Sequence, residues 1–207
     1  MKNIKFIYFD VGGVICLDFS NTNKWELLKK DLGVNSINND DFEKIWQEHR
    51  DRICVDCDVD TLIPKLKNKA KISPPTKYSL LEDFVNRFEK NPSIYNLVEK
   101  AKEKYGIGLL TNMYPRMLSL MQEKELVPNF GWDVIIDSSK VKAQKPNKEI
   151  FEAAEKLSGF SSKELFFIDN TQRHVDAAKE RGWSGFMYDN LNPEKSTQEL
   201  LEILELK

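Results

Sequence analysis

Residues 4–15 read Ile4-Lys5-Phe6-Ile7-Tyr8-Phe9-Asp10-Val11-Gly12-Gly13-Val14-Ile15. A short apolar run stops at a carboxylate followed by two glycines, the pattern of a buried strand ending in a glycine turn. Four later runs look alike: Ile107 to Leu110, Val134 to Ile136, Phe166 to Ile168 and Gly185 to Tyr188. Helical spacing separates the later runs. Ile94, Leu97, Val98 and Ala101 share one face, and Ile150, Ala154 and Leu157 another. Strands alternating with helices predict an α/β fold, a doubly wound parallel sheet with helices on both sides. In such sheets the ligand sits beyond the carboxyl ends of the strands. The residues just after each strand therefore matter most.

The alternation fails from about Ser20 to Pro92, where no convincing strand is found. Trp25 and Leu28 suggest one helix, and Phe42, Ile45 and Trp46 a second. Leu62 and Leu66 fit a third, and Leu80, Leu81, Phe84, Val85 and Phe88 a fourth, with a turn at Ser73-Pro74-Pro75. The expected division is an α/β core of residues 1–17 and 93–207 carrying a helical cap of residues 18–92. The 207 residues carry 31 Lys+Arg against 33 Asp+Glu, a net charge of −2. That length buries a core without disulfides or structural metal, and the missing basic excess argues against a nucleic-acid partner. No run approaches the ~18 apolar residues of a membrane span. The basic start Met1-Lys2-Asn3-Ile4-Lys5 precedes too short an apolar run for a signal peptide. Three cysteines, an odd number, do not suggest a disulfide framework. A soluble, cytoplasmic protein with no membrane partner is expected.

Four strand ends carry polar groups: Asp10-Val11-Gly12-Gly13, Thr111-Asn112, Lys145-Pro146 ahead of the Ile150 helix, and Asp169-Asn170. A carboxylate, a hydroxyl, an amine and a second carboxylate would converge on one edge. That set suits phosphoryl transfer. A carboxylate nucleophile forms an acyl-phosphate and splits one hard step into two. Glycines after it let backbone N–H groups approach phosphate oxygens. Thr111 can donate a hydrogen bond, and Lys145 can neutralise phosphate charge. Acidic groups facing a phosphate require a divalent cation, and hard oxygen donors favour Mg²⁺.

These motifs, in this order, resemble the haloacid dehalogenase superfamily: Phe9-Asp10-Val11-Gly12-Gly13-Val14-Ile15, Leu110-Thr111-Asn112, Lys145-Pro146, and Phe167-Ile168-Asp169-Asn170. The helical insert after the first motif resembles that superfamily's small helical cap. Within it the match looks like the sugar-phosphatase and epoxide-hydrolase N-terminal-like branch. The resemblance covers essentially the whole chain and implies a Rossmann-like core. It implies Asp10 as nucleophile and metal ligand, and a metal contact through the Gly12 carbonyl. It also implies phosphate binding by Val11, Gly12, Thr111, Asn112 and Lys145, with Lys145 holding Asp10 as well. Asp169 and Asn170 would sit at the Mg²⁺. The implied activity is Mg²⁺-dependent hydrolysis of a small phosphorylated metabolite, such as a sugar phosphate, through an aspartyl-phosphate.

Two positions depart from the pattern. Most phosphatases of the superfamily carry an acid two residues after the nucleophile, where Gly12 stands here. General acid–base assistance is worth 10²–10⁴-fold, so slower turnover and easily departing leaving groups, such as anomeric phosphates, are expected. Asn170 stands where a second acid is usual, which predicts weaker metal binding. Together they open the alternative of a catalytically impaired relative that binds a phospho-ligand or a protein partner. Haloacid dehalogenation would need an aromatic residue and a Thr where Gly12 and Val14 stand. Cys54-Val55-Asp56-Cys57 has the spacing of half a zinc site, but no second pair completes it, and packing in the cap is expected. His174 is expected at the surface at a helix start, after a cap at Thr171. Trp25, Trp46, Trp132 and Trp183 are expected in the core. Trp46 and His49, sharing a helix face with Ile45, are candidate substrate contacts. So are Cys16, Asp18 and Phe19, with Asp18 a candidate replacement for the missing acid.

Overall fold

The computed structural model describes residues 3–206. Met1 and Lys2 of the basic start, and Lys207 of the expected core segment, lie outside the described residues. Five parallel strands form one sheet: β1 (Phe6–Phe9), β4 (Gly106–Thr111), β5 (Val134–Asp137), β6 (Leu165–Asp169) and β7 (Ser184–Met187), in the order β5-β4-β1-β6-β7. β1 lies in the middle because all four of its side chains are buried. Strand periodicity sends them alternately to opposite faces. Ile7 and Phe9 meet α5 (Pro92–Lys104) through Ile94, Leu97, Val98 and Ala101, and α10 (Pro193–Ile203) through Leu200. Phe6 and Tyr8 meet α8 (Lys148–Ser158) through Ile150, Phe151 and Ala154, and α9 (Gln172–Glu180) through Ala178. The buried Tyr8 hydroxyl is satisfied by donating to the Ala154 carbonyl at 2.8 Å.

The remaining elements follow the first strand. β2 (Cys16–Leu17) leads to α1 (Lys24–Leu32), α2 (Asn39–Ile53), a 3₁₀ turn (Val59–Leu62), α3 (Ile63–Lys69) and α4 (Leu80–Asn86). The chain then returns through β3 (Glu89–Lys90), which pairs antiparallel with β2. The expectation of no strand between Ser20 and Pro92 is thus corrected at Glu89–Lys90. Two exposed residues carry no alternation to read. Leu28, Leu32, Phe42, Ile45, Leu66 and Phe84 of the helices join the same buried cluster as Ile7 and Phe9. Two short helices, α6 (Met117–Glu123) and α7 (Ser138–Val141), follow β4 and β5. The turn expected at Ser73-Pro74-Pro75 is irregular chain, with a turn following at Thr76-Lys77.

Two further expectations are corrected. Leu157 is 57% exposed, because the buried face of α8 rotates toward Phe151 and Ala154 and leaves Leu157 at its margin in the last turn. His174 is buried. It lies four residues before Ala178, so it shares the inward face of α9. Trp183 is in the core and Trp132 packs against Phe9. No helix among the described residues is long and apolar enough to cross a membrane.

Candidate active site

The carboxyl ends of β1, β4 and β6 are adjacent in the sheet, so their terminal side chains meet. Lys145 arrives from the loop before α8. Its Nζ lies 2.9 Å from Asp10 Oδ1 and 2.6 Å from Asp169 Oδ2. All three side chains are buried. The Lys145 ammonium also stands 5.1 Å from the Phe167 ring centre. Asn112 seats this lysine: its amide oxygen accepts from the Lys145 N–H at 2.8 Å and its amide nitrogen donates to the Lys145 carbonyl at 3.0 Å. The side chain of Asn112 is therefore occupied by the Lys145 backbone rather than turned to the open site. Thr111, also buried, hydrogen-bonds Asp10. Asp169 Oδ1 accepts from the Thr171 N–H at 2.7 Å. Thr171 stands at the start of α9 as expected, but its own side chain makes no capping bond.

Charge explains the protonation states. Burial pushes Asp10 up to about 7, with Lys145 pulling it down and Asp169 pushing it further up. Burial would raise Asp169 too, but Lys145 and a hydrogen bond from His174 outweigh it and hold the carboxyl well below the usual range. Lys145 is raised by the two carboxylates against the effect of its burial. His174 is lowered, first by burial, and its Nδ1 lies 3.1 Å from Asp169 Oδ2. Its Nε2 is buried without a partner among the described residues. Two carboxylates against one ammonium leave a net negative charge in a buried place once Asp10 ionises, which favours a cation. Asp10, Asp169 and His174 each offer a ligand atom within 4.8 Å of the others.

The turn after Asp10 is held by its backbone. The Cys16 N–H donates to the Val11 carbonyl at 3.0 Å and the Gly13 N–H to the Cys16 carbonyl at 2.7 Å. Gly13 has φ +80°, and a Cβ there would lie 1.9 Å from Asn170 Nδ2. Asn170 thus packs directly over the glycine turn. Gly12 is different: a Cβ there would lie 3.6 Å from Asp18 Oδ2 and from Phe88, ordinary contact distances. Asp18 therefore flanks the position where the acid is missing. It accepts from the Ser20 N–H at 2.9 Å.

A cavity of about 420 Å³ opens over these groups. Its floor is Asp10, Gly12, Thr111, Asn112 and Asn170, and its wall is Phe19, Trp25, Trp46, Phe84, Phe88 and Tyr114. Trp46, Asp18 and Phe19 thus reach the cavity as expected, while Trp25 belongs to wall and packing alike. His49 does not line it; its Nδ1 bonds the Ile45 carbonyl at 2.7 Å. Cys16 is buried beneath the turn. Cys57 is buried and Cys54 lines the cavity. Neither joins a group of three metal-ligating side chains among the described residues. The reading of the sequence did not mark Tyr114, Met113 or His174's inward face. Met113 and Tyr114 directly follow Thr111-Asn112, so their place after a strand end was the available signal. Arg116 was also missed. It bonds Asp58 at 2.6 Å and Asp60 at 2.8 Å, tying the start of α6 to the 3₁₀ turn.

Comparison with known proteins agrees with this architecture. A HAD-like family hydrolase from Porphyromonas gingivalis superposes with a TM-score of 0.78 at 21% identity, over 99% of both chains. A HAD phosphatase from Thermococcus onnurineus gives 0.67 at 19%, again over 99% of both. A HAD family enzyme from Bacteroides thetaiotaomicron, solved in complex with magnesium and inorganic phosphate, gives 0.69 at 19% over 90% of this chain and 95% of that one. At such identities the likeness is one of fold. The Drosophila melanogaster rhythmically expressed gene 2 protein is 34% identical over 89 residues, 41% of this chain. The match spans about a third (34%) of that relative's length. The family profile of the haloacid dehalogenase-like hydrolases runs from residue 4 to residue 182, through the ends of β1, β4, β5 and β6 and past Lys145. On that extent of agreement, in sequence and in fold, the chain belongs to the haloacid dehalogenase-like hydrolases.

Proposed function

We propose that this hydrolase is a phosphatase acting on a small phosphorylated metabolite, with Asp10 as nucleophile. The observation that carries the reading is the buried contact of Lys145 with both Asp10 and Asp169 beneath the cavity, whose floor Asp10 reaches. Lys145 holds Asp10 in one orientation and favours its ionised form. An Asp10 oxygen attacks phosphorus, the leaving oxygen departs with its electron pair, and water then hydrolyses the aspartyl-phosphate and restores the carboxylate. Thr111, Lys145 and the backbone from Val11 to Gly12 bind the phosphate oxygens. Asn112 contributes by fixing Lys145. The helices between β2 and β3 act as the cap that encloses the substrate and limits bulk water.

The donor set fits a hard divalent cation, since the carboxylates of Asp10 and Asp169 lie close together with net negative charge between them. Asp10, Asp169, the amide oxygen of Asn170 and the Gly12 carbonyl would hold Mg²⁺, which would supply positive charge to the phosphate. The magnesium and phosphate in the Bacteroides relative support that assignment.

The test is phosphate release from a panel of phosphomonoesters, with and without Mg²⁺, beside Asp10→Asn. Turnover should require both the metal and the carboxylate, and the substitution should lower kcat by about four orders of magnitude or more. Equal rates for wild type and Asp10→Asn would refute the nucleophile. Gly12, which brings no acid to the site, favours one second reading: a relative that binds a phospho-ligand or protein partner without turning it over. Silence of folded, Mg²⁺-saturated protein across the panel would favour that reading instead.

A further inference from the structure

Resting on the phosphatase reading, we infer that the leaving group is a flat, uncharged aromatic alcohol, so that the substrate is an aryl phosphate. The cavity wall is a continuous shell of rings. Trp25 and Trp46 have centroids 5.1 Å apart, Trp46 and Phe84 6.0 Å, and Phe84 and Tyr114 5.0 Å. Phe19 extends it, 5.2 Å from Phe84 and 5.6 Å from Phe88. Such a shell rewards a planar apolar group by burial and by ring contacts. The volume of about 420 Å³ is that of a small-ligand site.

The same wall disfavours other alcohols. A sugar brings several hydroxyls, and each one buried without a partner costs free energy. The ring shell offers little in return; the Tyr114 hydroxyl, which hydrogen-bonds nothing among the described residues, is one of its few polar groups. Among the described residues no Lys, Arg or His lines the cavity, and apart from Asp10 its charged side chain is Asp18. A second phosphate or a carboxylate on the substrate would meet repulsion there.

The floor points the same way for a chemical reason. Gly12 cannot protonate a departing oxygen. A phenol ionises near pH 10, as tyrosine does, whereas an alcohol resembling water, with a pKa of about 15.7, does so far less readily. An aryloxide leaves with its electron pair and takes its proton from solvent. The balance is aryl phosphate plus water giving phenol plus inorganic phosphate.

The test compares kcat/KM for 1-naphthyl phosphate, phenyl phosphate, glucose 1-phosphate, glucose 6-phosphate and acetyl phosphate, all with Mg²⁺. The aryl esters should lead both sugar esters by about a hundredfold. Glucose 1-phosphate separates the two arguments, having a good leaving group without an aromatic ring. Trp46→Leu should shrink the ratio of 1-naphthyl to acetyl phosphate by about tenfold, the order of one aromatic contact. Trp46→Phe should largely preserve that ratio. Sugar esters equal to or ahead of aryl esters, with acetyl phosphate still turned over, would overturn the inference and leave the phosphatase reading standing. An unchanged ratio in Trp46→Leu would overturn it too. Silence of folded protein on all five, acetyl phosphate included, would remove the phosphatase reading and this inference with it.

Discussion

Asp10, Lys145 and Asp169 meet where three strands end, each charge answered by another within 3 Å. Across the same cavity, Trp25, Trp46 and Phe84 of three helices meet Tyr114 of the loop after β4, and none of these four rings carries a charge. The floor is a network in which every member fixes the state of the next. The wall is a surface whose members contribute by area and shape. Removing one member of a buried ionic network strands its partners, whereas trimming one ring leaves the others in contact. The floor should therefore be intolerant of change and the wall permissive.

The strongest way to break that contrast is Lys145→Met. It leaves two carboxylates buried side by side, and the expected loss is about 3–5 kcal/mol of unfolding free energy. Chemical denaturation in EDTA measures it; a loss below 1 kcal/mol would show the network to be no network. Next come the two adjacent glycines. Gly13→Ala forces a Cβ against Asn170 at positive φ and should cost about 2–4 kcal/mol. Gly12→Ala meets only ordinary contacts and should stay within about 1 kcal/mol. Equal losses at the two positions would contradict the described turn.

A pH scan sharpens the same comparison. Without metal, Asp10 titrates at about 7 in the folded chain and near 3.9 unfolded. Between those values the folded state holds a proton that the unfolded state has lost. The stabilisation from this group is full below about pH 4 and is lost as pH rises through about 7. His174, lowered by burial, acts oppositely, adding stability as pH rises through its unfolded value of about 6.5. Asp169 is ionised in both states above pH 5, and Lys145 is protonated in both. The Asp10 share is thus the difference between wild type and Asp10→Asn in Tm from pH 5 to 8 in EDTA. That difference should shrink the wild-type advantage toward pH 8; a widening advantage would reverse the assignment. The smallest effect belongs to Arg116→Ala, outside both regions, which cuts a half-exposed tie between the start of α6 and the 3₁₀ turn. It should cost at most about 1 kcal/mol, read by double-mutant cycle with Asp58→Ala.

Both regions left different traces in the sequence. Strand ends are legible because a buried run must stop somewhere, and the polar residue at its stop is conspicuous: Asp10, Thr111 and Asp169 all end such runs. The parallel sheet follows from the alternation of such runs with helices, whereas the order β5-β4-β1-β6-β7 shows only in the structure. Lys145 stood out from Lys140 and Lys142 by the Pro146 that follows it ahead of the Ile150 helix, and its part in phosphate binding was given residue by residue by the resemblance. The wall was hardly legible. Trp25, Trp46 and Phe84 show helical periodicity, but the same periodicity serves packing, and only the tertiary arrangement shows that their rings also border a space. His174 was misjudged because a polar residue at a helix start usually faces water; here the start abuts a buried carboxylate.

The pairing of Cys16–Leu17 with Glu89–Lys90 has a consequence of its own. Neighbouring strands lie about 4.8 Å apart, so the chain departs from the sheet and comes back at nearly one point. The entropy of closing a longer excursion between those ends grows by only about 0.6 kcal/mol per doubling of its length. Loops within residues 18–88 can thus be lengthened at little cost, provided that Leu28, Phe42 and Phe84 still close the buried cluster they share with Ile7 and Phe9. The two-stranded ribbon makes the sheet a socket, and a graft between Leu17 and Glu89 that keeps Asp18 and the shared buried residues is a route to changing what the molecule accepts.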